Sequence, residues 1–254
     1  MLKAEVAVIM PTFHRPISLK IAIDSVIRQS FKNWKLYIIG DRCVDKTEFV
    51  IKPAMDKHSD RIVWKNLNRN HGGGHYKHAR GDSGATCRNV AFNMSSEPYI
   101  AYLDDDDRYH VDHLKVLYDV ITGGDLDFVY TKGAFIEVRS KHKPPLIVGG
   151  SPPQYQSIGT NAIMHTRNIA KKVLIPPKKH LHVREDPSVT LQRQLWLPAK
   201  ETRGAHDWEM IQRMMQKGAK YKFIPIVTYE AYWGFSQIDF AKMPRLPRYE
   251  NVRK

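Results

Sequence analysis

The chain has 254 residues, 42% of them apolar, with 40 lysines and arginines against 26 aspartates and glutamates and a formal net charge of +14. That content suffices for one large α/β core or two small ones, and no apolar stretch approaches a membrane span, so no transmembrane segment is expected in these residues. No Gly/Ser linker, low-complexity tract or internal repeat divides the chain, and one domain is expected. The two cysteines, Cys43 and Cys87, are far apart and lack metal-ligand spacing, which points to unpaired thiols in a reducing, cytoplasmic setting.

The run Ala4 to Met10 is apolar, is stopped by Pro11 and lacks a small-residue cleavage site, so it reads as a first strand rather than a signal peptide. A turn at Pro11 to Arg15 leads to a helix starting near Pro16, where proline suits the first turn, and running to about Gln29 with Ile17, Ile21, Ile23, Val26 and Ile27 inward. Leu36 to Ile39 is a second strand, ending at Gly40-Asp41. Asp45 and Glu48 make a capping box for a helix reaching about Lys57, and Arg61 to Lys65 gives a third strand. This alternation is the pattern of a doubly wound, largely parallel sheet.

Asn66 to Ser83 is a long polar loop with Gly72-Gly73-Gly74 among His71, His75 and His78; it reads either as a binding loop for metal or diphosphate or as a solvated lid. Gly84 to Met94 looks helical. Pro98 to Leu103 is then an apolar strand that runs directly into Asp104, Asp105, Asp106 and Asp107. A buried strand ending in four carboxylates carries a repulsion that a cation offsets, and the simplest candidate is a divalent metal holding phosphates. Capping of the next helix, with Val111, Leu114, Leu117 and Val120 at helical spacing, would need one carboxylate rather than four.

Strands are expected at Phe128 to Tyr130 and Ala134 to Val138. A proline-rich basic stretch follows, in which no assignment is made; residues 131–203 carry 13 basic and 4 acidic side chains. Such a localised field suits a polyanion, either nucleic acid or an anionic membrane surface, or a merely soluble basic surface. The pattern returns at His206-Asp207, where Trp208, Ile211, Met214 and Met215 line one face of a helix ending near Gly218. Tyr221 to Ile224 is a last strand. Trp233, Tyr229, Tyr232 and Phe235 could stack on a sugar or base, or could be core.

Three segments make the chain resemble the family 2 glycosyltransferases of GT-A fold. They are Val8-Ile9-Met10-Pro11-Thr12-Phe13-His14-Arg15, then Ser25 to Phe31 with Asn33 to Asp41, and then Cys87-Arg88-Asn89-Val90-Ala91 with Tyr102-Leu103-Asp104-Asp105-Asp106-Asp107. Gly40 stands where the family usually has the first of two aspartates. The resemblance implies a single α/β GT-A-type Rossmann-like domain over residues 1–254, with a mostly parallel central sheet flanked by helices. Residues 1–130 would be the nucleotide-sugar half, 131–240 a basic, less regular acceptor-side half, and 241–254 a basic tail.

It also implies an inverting, metal-dependent transfer from a nucleotide-diphospho-sugar, foremost a UDP-sugar, to a hydroxyl acceptor. Pro11, Thr12, Phe13, Arg15, Asp41, Arg88, Asp104 and Asp105 would contact the donor. Asp106, with Asp104, would hold Mn²⁺ or Mg²⁺, and Asp107 would be structural. Gly204-Ala205-His206-Asp207-Trp208 is similar to the family's acidic motif, which makes Asp207 the base; Gly159, Thr160, Asn161, His206 and Trp208 would face the acceptor. The chemistry agrees, since a departing diphosphate needs its charge stabilised and an attacking hydroxyl needs its proton removed. The acceptor stays open between a glycan or lipid-linked glycan at a membrane and a hydroxylated base in DNA. Nucleotidyl transfer is an alternative, but it usually wants a Gly-rich basic loop after strand one. A non-enzymatic nucleic-acid-binding module would leave Asp104 to Asp107 and Asp207 unexplained.

Overall fold

The computed structural model describes residues 4–68, 70, 82–138, 143–176, 193–202 and 205–233. The loop at His71, His75 and His78, the residues Lys178, Lys179, Gly204 and Phe235, and the basic tail lie outside them. The parallel half consists of β1 (Val6–Thr12), α1 (Pro16–Ile27), β2 (Trp34–Gly40), α2 (Thr47–Lys57), β3 (Ile62–Asn66), α3 (Ala85–Met94) and β4 (Tyr99–Tyr102). All seven residues of β1 are buried, as a central parallel strand covered on both faces requires. β5 (Arg108–Tyr109), α4 (His113–Thr122), β6 (Phe128–Glu137), β7 (Leu146–Val148), β8 (Ile163–Thr166), α5 (Arg167–Lys172), α6 (Ala199–Thr202), α7 (His206–Gln216) and β9 (Tyr221–Trp233) complete the described elements.

Across the sheet the order is β3-β2-β1-β4-β8-β6-β9-β5, with β7 beside the C-terminal half of β6. The chain therefore steps outward from β1 to β3 and then returns to the other side of β1 at β4. That reversal is a topological switch point, where the strands' C-terminal ends open a crevice. β1, β2 and β4 are parallel, so the 13–15 turn, Asp41 and Asp104 to Asp107 all leave the sheet at this edge. β8 runs antiparallel to β4, which brings the short 3₁₀ turn Thr160–Ala162, just before it, to the same edge.

Local details depart from the sequence pattern for identifiable reasons. On α1 the buried apolar positions are Leu19, Ala22, Ile23 and Val26, whereas Ile17 is exposed, because the helix lies against α2 and β5 on its other stripe. Asp45 lies ahead of the helix it was expected to cap: its carboxylate accepts the Thr47 N–H at 3.1 Å, and α2 begins at Thr47. The expected pieces 128–130 and 134–138 form one strand, β6, whose pairing with β9 shifts register around Lys132. β9 runs nine residues past Ile224, because Pro225 falls within that register shift, where no ladder N–H is needed. β8 and α5 lie in the stretch that carried no assignment, and the Thr166 hydroxyl there caps α5 by accepting the Ile169 N–H.

Gly40 has a steric explanation. A Cβ on it would stand 2.5 Å from the Trp64 ring and 2.6 Å from Asn66 Oδ1, so an aspartate cannot fit there while β3 keeps these side chains. Asn66 in turn holds the segment after β2, accepting the Cys43 N–H at 2.8 Å and donating to the Cys43 carbonyl at 2.7 Å. Cys43 and Cys87 are both free thiols and both buried, as the sequence suggested.

Candidate active site

Three non-glycine residues with positive φ mark the crevice rim: His14 at 52°, Arg42 at 58° and Ser83 at 51°. They follow β1, follow β2 and precede α3, and left-handed backbone at such residues is costly enough to be uncommon away from functional turns. His14 stacks on Phe13 at 4.2 Å and its Nε2 accepts the Val44 N–H at 3.1 Å, which ties the β1 turn to the segment after β2. Asp41 is buried beside them, with its N–H donating to the Thr12 carbonyl at 2.9 Å.

The four aspartates after β4 alternate between buried and partly exposed positions. Asp105 is buried and accepts from Thr12 Oγ1 at 2.7 Å, the Phe13 N–H at 3.3 Å and Arg15 Nη1 at 3.1 Å. Asp107 is buried and accepts from the Asn161 amide and from the Tyr232 N–H at 2.9 Å, so it joins the acid loop to the 3₁₀ turn and to β9. Asn161 also accepts the Asp104 N–H at 2.9 Å. Asp104 and Asp106 are the open pair. Asp104 receives Arg88 Nη2 at 2.5 Å, its side chain 30% exposed, and Asp106 receives Arg15, its side chain 16% exposed.

Burial pushes the Asp106 carboxyl up to about 7, Arg15 opposing this and Asp105 and Asp104 adding to it. Burial likewise raises Asp105, against the pull of Arg15 and Thr12, and raises Asp107 well above the usual carboxylate range, with Asp106 and Asp104 reinforcing the shift. Burial of these carboxyls thus costs more than Arg15 offsets at Asp105 and Asp106. Among the described residues no three His, Cys, Asp or Glu side chains could enclose a metal by themselves. The donor set fits a hard divalent cation of another kind, one that takes one or two carboxylates, here Asp104 and Asp106, and leaves its remaining positions for phosphate oxygens and water.

Arg88 links this cluster to α7. It rises from α3, donates to the Ser83 carbonyl at 2.8 Å as well as to Asp104, and lies over the Trp196 ring at 4.9 Å. Trp196 is held by Asn89, whose Oδ1 accepts the Leu195 and Trp196 N–H groups at 2.9 Å and whose Nδ2 donates to the Trp196 carbonyl at 2.8 Å. Beside the indole, at 5.9 Å between ring centroids, lies His206 at the start of α7. Its Nδ1 is buried without a partner among the described residues, and burial, aided by Arg88 and opposed by Asp104, lowers its pKa to about 4. His206 is therefore neutral at physiological pH.

Asp207 occupies the first turn of α7 and accepts the Trp208 N–H at 2.8 Å. Burial raises its carboxyl, while that N–H and Arg88 oppose the shift and Asp104 adds to it. Trp208 packs partly buried on the core, Gly159 adjoins the Tyr229 hydroxyl, and Thr160 is buried in the 3₁₀ turn. The tertiary structure thus groups Thr12, Phe13, Arg15, Arg88 and Asp104 to Asp107 through direct contacts, and links His206, the chain neighbour of Asp207, to them through Arg88 and Trp196. Trp196 and Asn89 escaped the sequence reading. Trp196 lies in the stretch without periodicity, and nothing local in α3 says what an asparagine amide on it will meet.

A doubly wound sheet with a carboxylate cluster at its switch point is the architecture of the GT-A fold. The model of glycosyl transferase family 2 matches residues 7–177, and the chain belongs to that family. Among curated relatives, it is 26% identical over 125 residues to the UDP-Glc:alpha-D-GlcNAc-diphosphoundecaprenol beta-1,3-glucosyltransferase WfgD of Escherichia coli, covering 49% of this chain and 44% of the relative. The chain therefore spans less than half of that protein. Among solved structures, S. aureus TarS 1-349 in complex with UDP superposes with a TM-score of 0.63 at 16% identity, covering 94% of this chain and 62% of that one. The mannosyltransferase PcManGT from Pyrobaculum calidifontis, in complex with GDP-Man and Mn2+, gives 0.60 at 12% identity, covering 92% and 57%. Likeness at these identities establishes the fold. Among the described residues no helix is long and apolar enough to cross a membrane.

Proposed function

We propose that the chain transfers a sugar from a UDP-sugar to a hydroxyl of a glycan, with inversion at the anomeric carbon. The observation that carries this reading is the pairing of Asp104 with Arg88, since Arg88 also lies over Trp196, whose indole adjoins His206 at the start of α7, and so connects a carboxylate suited to a metal–diphosphate with the helix start that carries a carboxylate suited to act as a base. Pro11, Thr12, Phe13 and Asp41 border the crevice where a nucleoside would lie, and Arg15 and Arg88 supply positive charge toward its diphosphate. A divalent cation held by Asp104 and Asp106, Mn²⁺ or Mg²⁺, would stabilise the negative charge that develops on the departing diphosphate.

Asp207 takes the proton of the acceptor hydroxyl as that oxygen forms a bond to the anomeric carbon, and the bond from that carbon to the diphosphate oxygen breaks on the opposite face. Burial raises its pKa, which strengthens the carboxylate as a base. Neutral His206, beside Trp196, adds no competing positive charge next to the base. For the acceptor, the E. coli relative's diphosphoundecaprenol-linked substrate supports a lipid-linked glycan. The test is a screen of UDP- and GDP-sugars with Mn²⁺ or Mg²⁺, read by mass spectrometry against lipid-linked glycan and hydroxymethylated DNA acceptors. Metal-dependent UDP-sugar turnover onto the glycan supports the reading, and transfer to DNA alone, or no turnover with any donor, overturns it.

A further inference from the structure

Beyond residue 131, β6 and β9 run parallel between β7 and β5, and both point toward the edge from which Asp104 to Asp107 emerge. Residues directly opposite in such a ladder share a face, and alternate residues along each strand return to it. One face therefore carries Gly133 with Tyr229, then Phe135 with Ala231 and Leu146, then Glu137 with Trp233. Exposure rises along it: Tyr229 is 1% exposed, Leu146 67% and Trp233 50%.

The inner end of this face joins the candidate active site. A Cβ on Gly133 would stand 2.4 Å from the Tyr229 hydroxyl and one on Gly159 would stand 2.9 Å from it, so the phenol fits only because two glycines leave room. Gly159 leads into the turn whose Asn161 binds both the Asp104 N–H and Asp107. Burial raises the phenol's pKa, with Asp107, Asp207 and Asp104 adding to the shift. No hydrogen bond engages that hydroxyl among the described residues.

We propose that this face, from Tyr229 past Phe135 to Trp233, is the platform on which a glycan acceptor lies, with a sugar ring stacked on Trp233. The proposal rests on the glycosyl-transfer reading above and adds the place and mode of acceptor binding. A pyranose presents an apolar C–H face and a rim of hydroxyls. The platform offers the matching surfaces, a half-exposed indole with Leu146 nearby, and the Glu137 carboxylate opposite Trp233, paired with Lys143 at 3.1 Å.

The full chain with UDP and Mn²⁺ is mixed with methyl β-glycosides of glucose, galactose, N-acetylglucosamine or N-acetylgalactosamine, and saturation transfer from aromatic protons is recorded by NMR. At least one glycoside should be saturated on its C–H face, and Trp233→Ala should weaken its binding about tenfold, with Trp233→Phe in between. UDP affinity, measured by calorimetry, should be the same in all three proteins. Glycoside binding that Trp233→Ala leaves unchanged, or no saturation of any glycoside while UDP binds normally, overturns the platform and leaves the donor reading intact. Phosphatidylglycerol vesicle binding lost in Trp233→Ala, with glycosides unaffected, overturns it in favour of a membrane contact. Trp233-dependent glycoside binding without any UDP binding would instead keep the platform and overturn the donor reading.

Discussion

At the scale of single residues the four consecutive aspartates hold different positions because they meet different partners. Asp106, partly exposed and raised to about 7, is the carboxylate whose charge a bound cation would relieve most. Asp106→Asn should therefore lower donor affinity and turnover together, by about tenfold or more in each, measured by UDP calorimetry and steady-state kinetics. Asp207→Asn should spare donor affinity and lower kcat by roughly 10²–10⁴-fold, the range of a lost general base. Near-normal turnover in that variant would remove Asp207 from the mechanism. A base must be ionised to work, and the Asp207 carboxyl is raised by burial. Activity should be full above its pKa and fall as pH drops through a value higher than the ordinary Asp value of about 3.9, which a kcat profile would read directly.

At the scale of elements the site depends on α3 gripping a segment about a hundred residues away. Asn89→Ala would remove three hydrogen bonds and leave the buried Leu195 and Trp196 N–H groups without partners. The expected cost is about 2–4 kcal/mol of unfolding free energy, read by denaturant titration, with weaker UDP binding as Trp196 loosens from Arg88. A variant with wild-type stability and UDP affinity would show that the clasp is dispensable. The parallel half was legible in the sequence because each βα unit is a local pattern: an apolar run, a turn and a helical stripe. On the acceptor side β6 and the start of β9 were legible, whereas β7 and β8, three or four residues long, and the part of β9 beyond Pro225 were not. Their pairing partners lie far away in sequence, and no local periodicity encodes them.

At the scale of the whole molecule, buried histidines make stability depend on pH. His165 is fully buried: Nδ1 donates to the Thr166 carbonyl at 3.0 Å, and in the neutral ring Nε2 accepts the Tyr102 hydroxyl at 2.8 Å. Burial lowers its pKa to about 4, the Thr166 carbonyl opposing and Arg167 adding. A depressed histidine contributes stability above its unfolded pKa of about 6.5 that is lost as pH falls toward the folded value. The stability difference between the wild type and His165→Gln should therefore shrink by on the order of 2–3 kcal/mol between pH 7 and pH 4 in denaturant titrations. A constant difference would mean that the ring is charged, or reaches water, in the folded state.

The sequence by itself determined the order of the βα units, the single α/β domain and the kind of chemistry that an aspartate cluster after one strand and an Asp at a later helix start can perform. These follow from short-range periodicity and residue type. Only the tertiary structure decided which partners each aspartate meets. Four identical neighbours are indistinguishable in pattern, whereas Asp105 is claimed by Thr12, 93 residues away, and Asp107 by the Tyr232 N–H, 125 residues away. Asp104 and Asp106 keep their exposure at the crevice because burial and hydrogen-bond partners are assigned by the sheet's order, with β1 and β8 on either side of β4 and β9 reaching back across the acid loop.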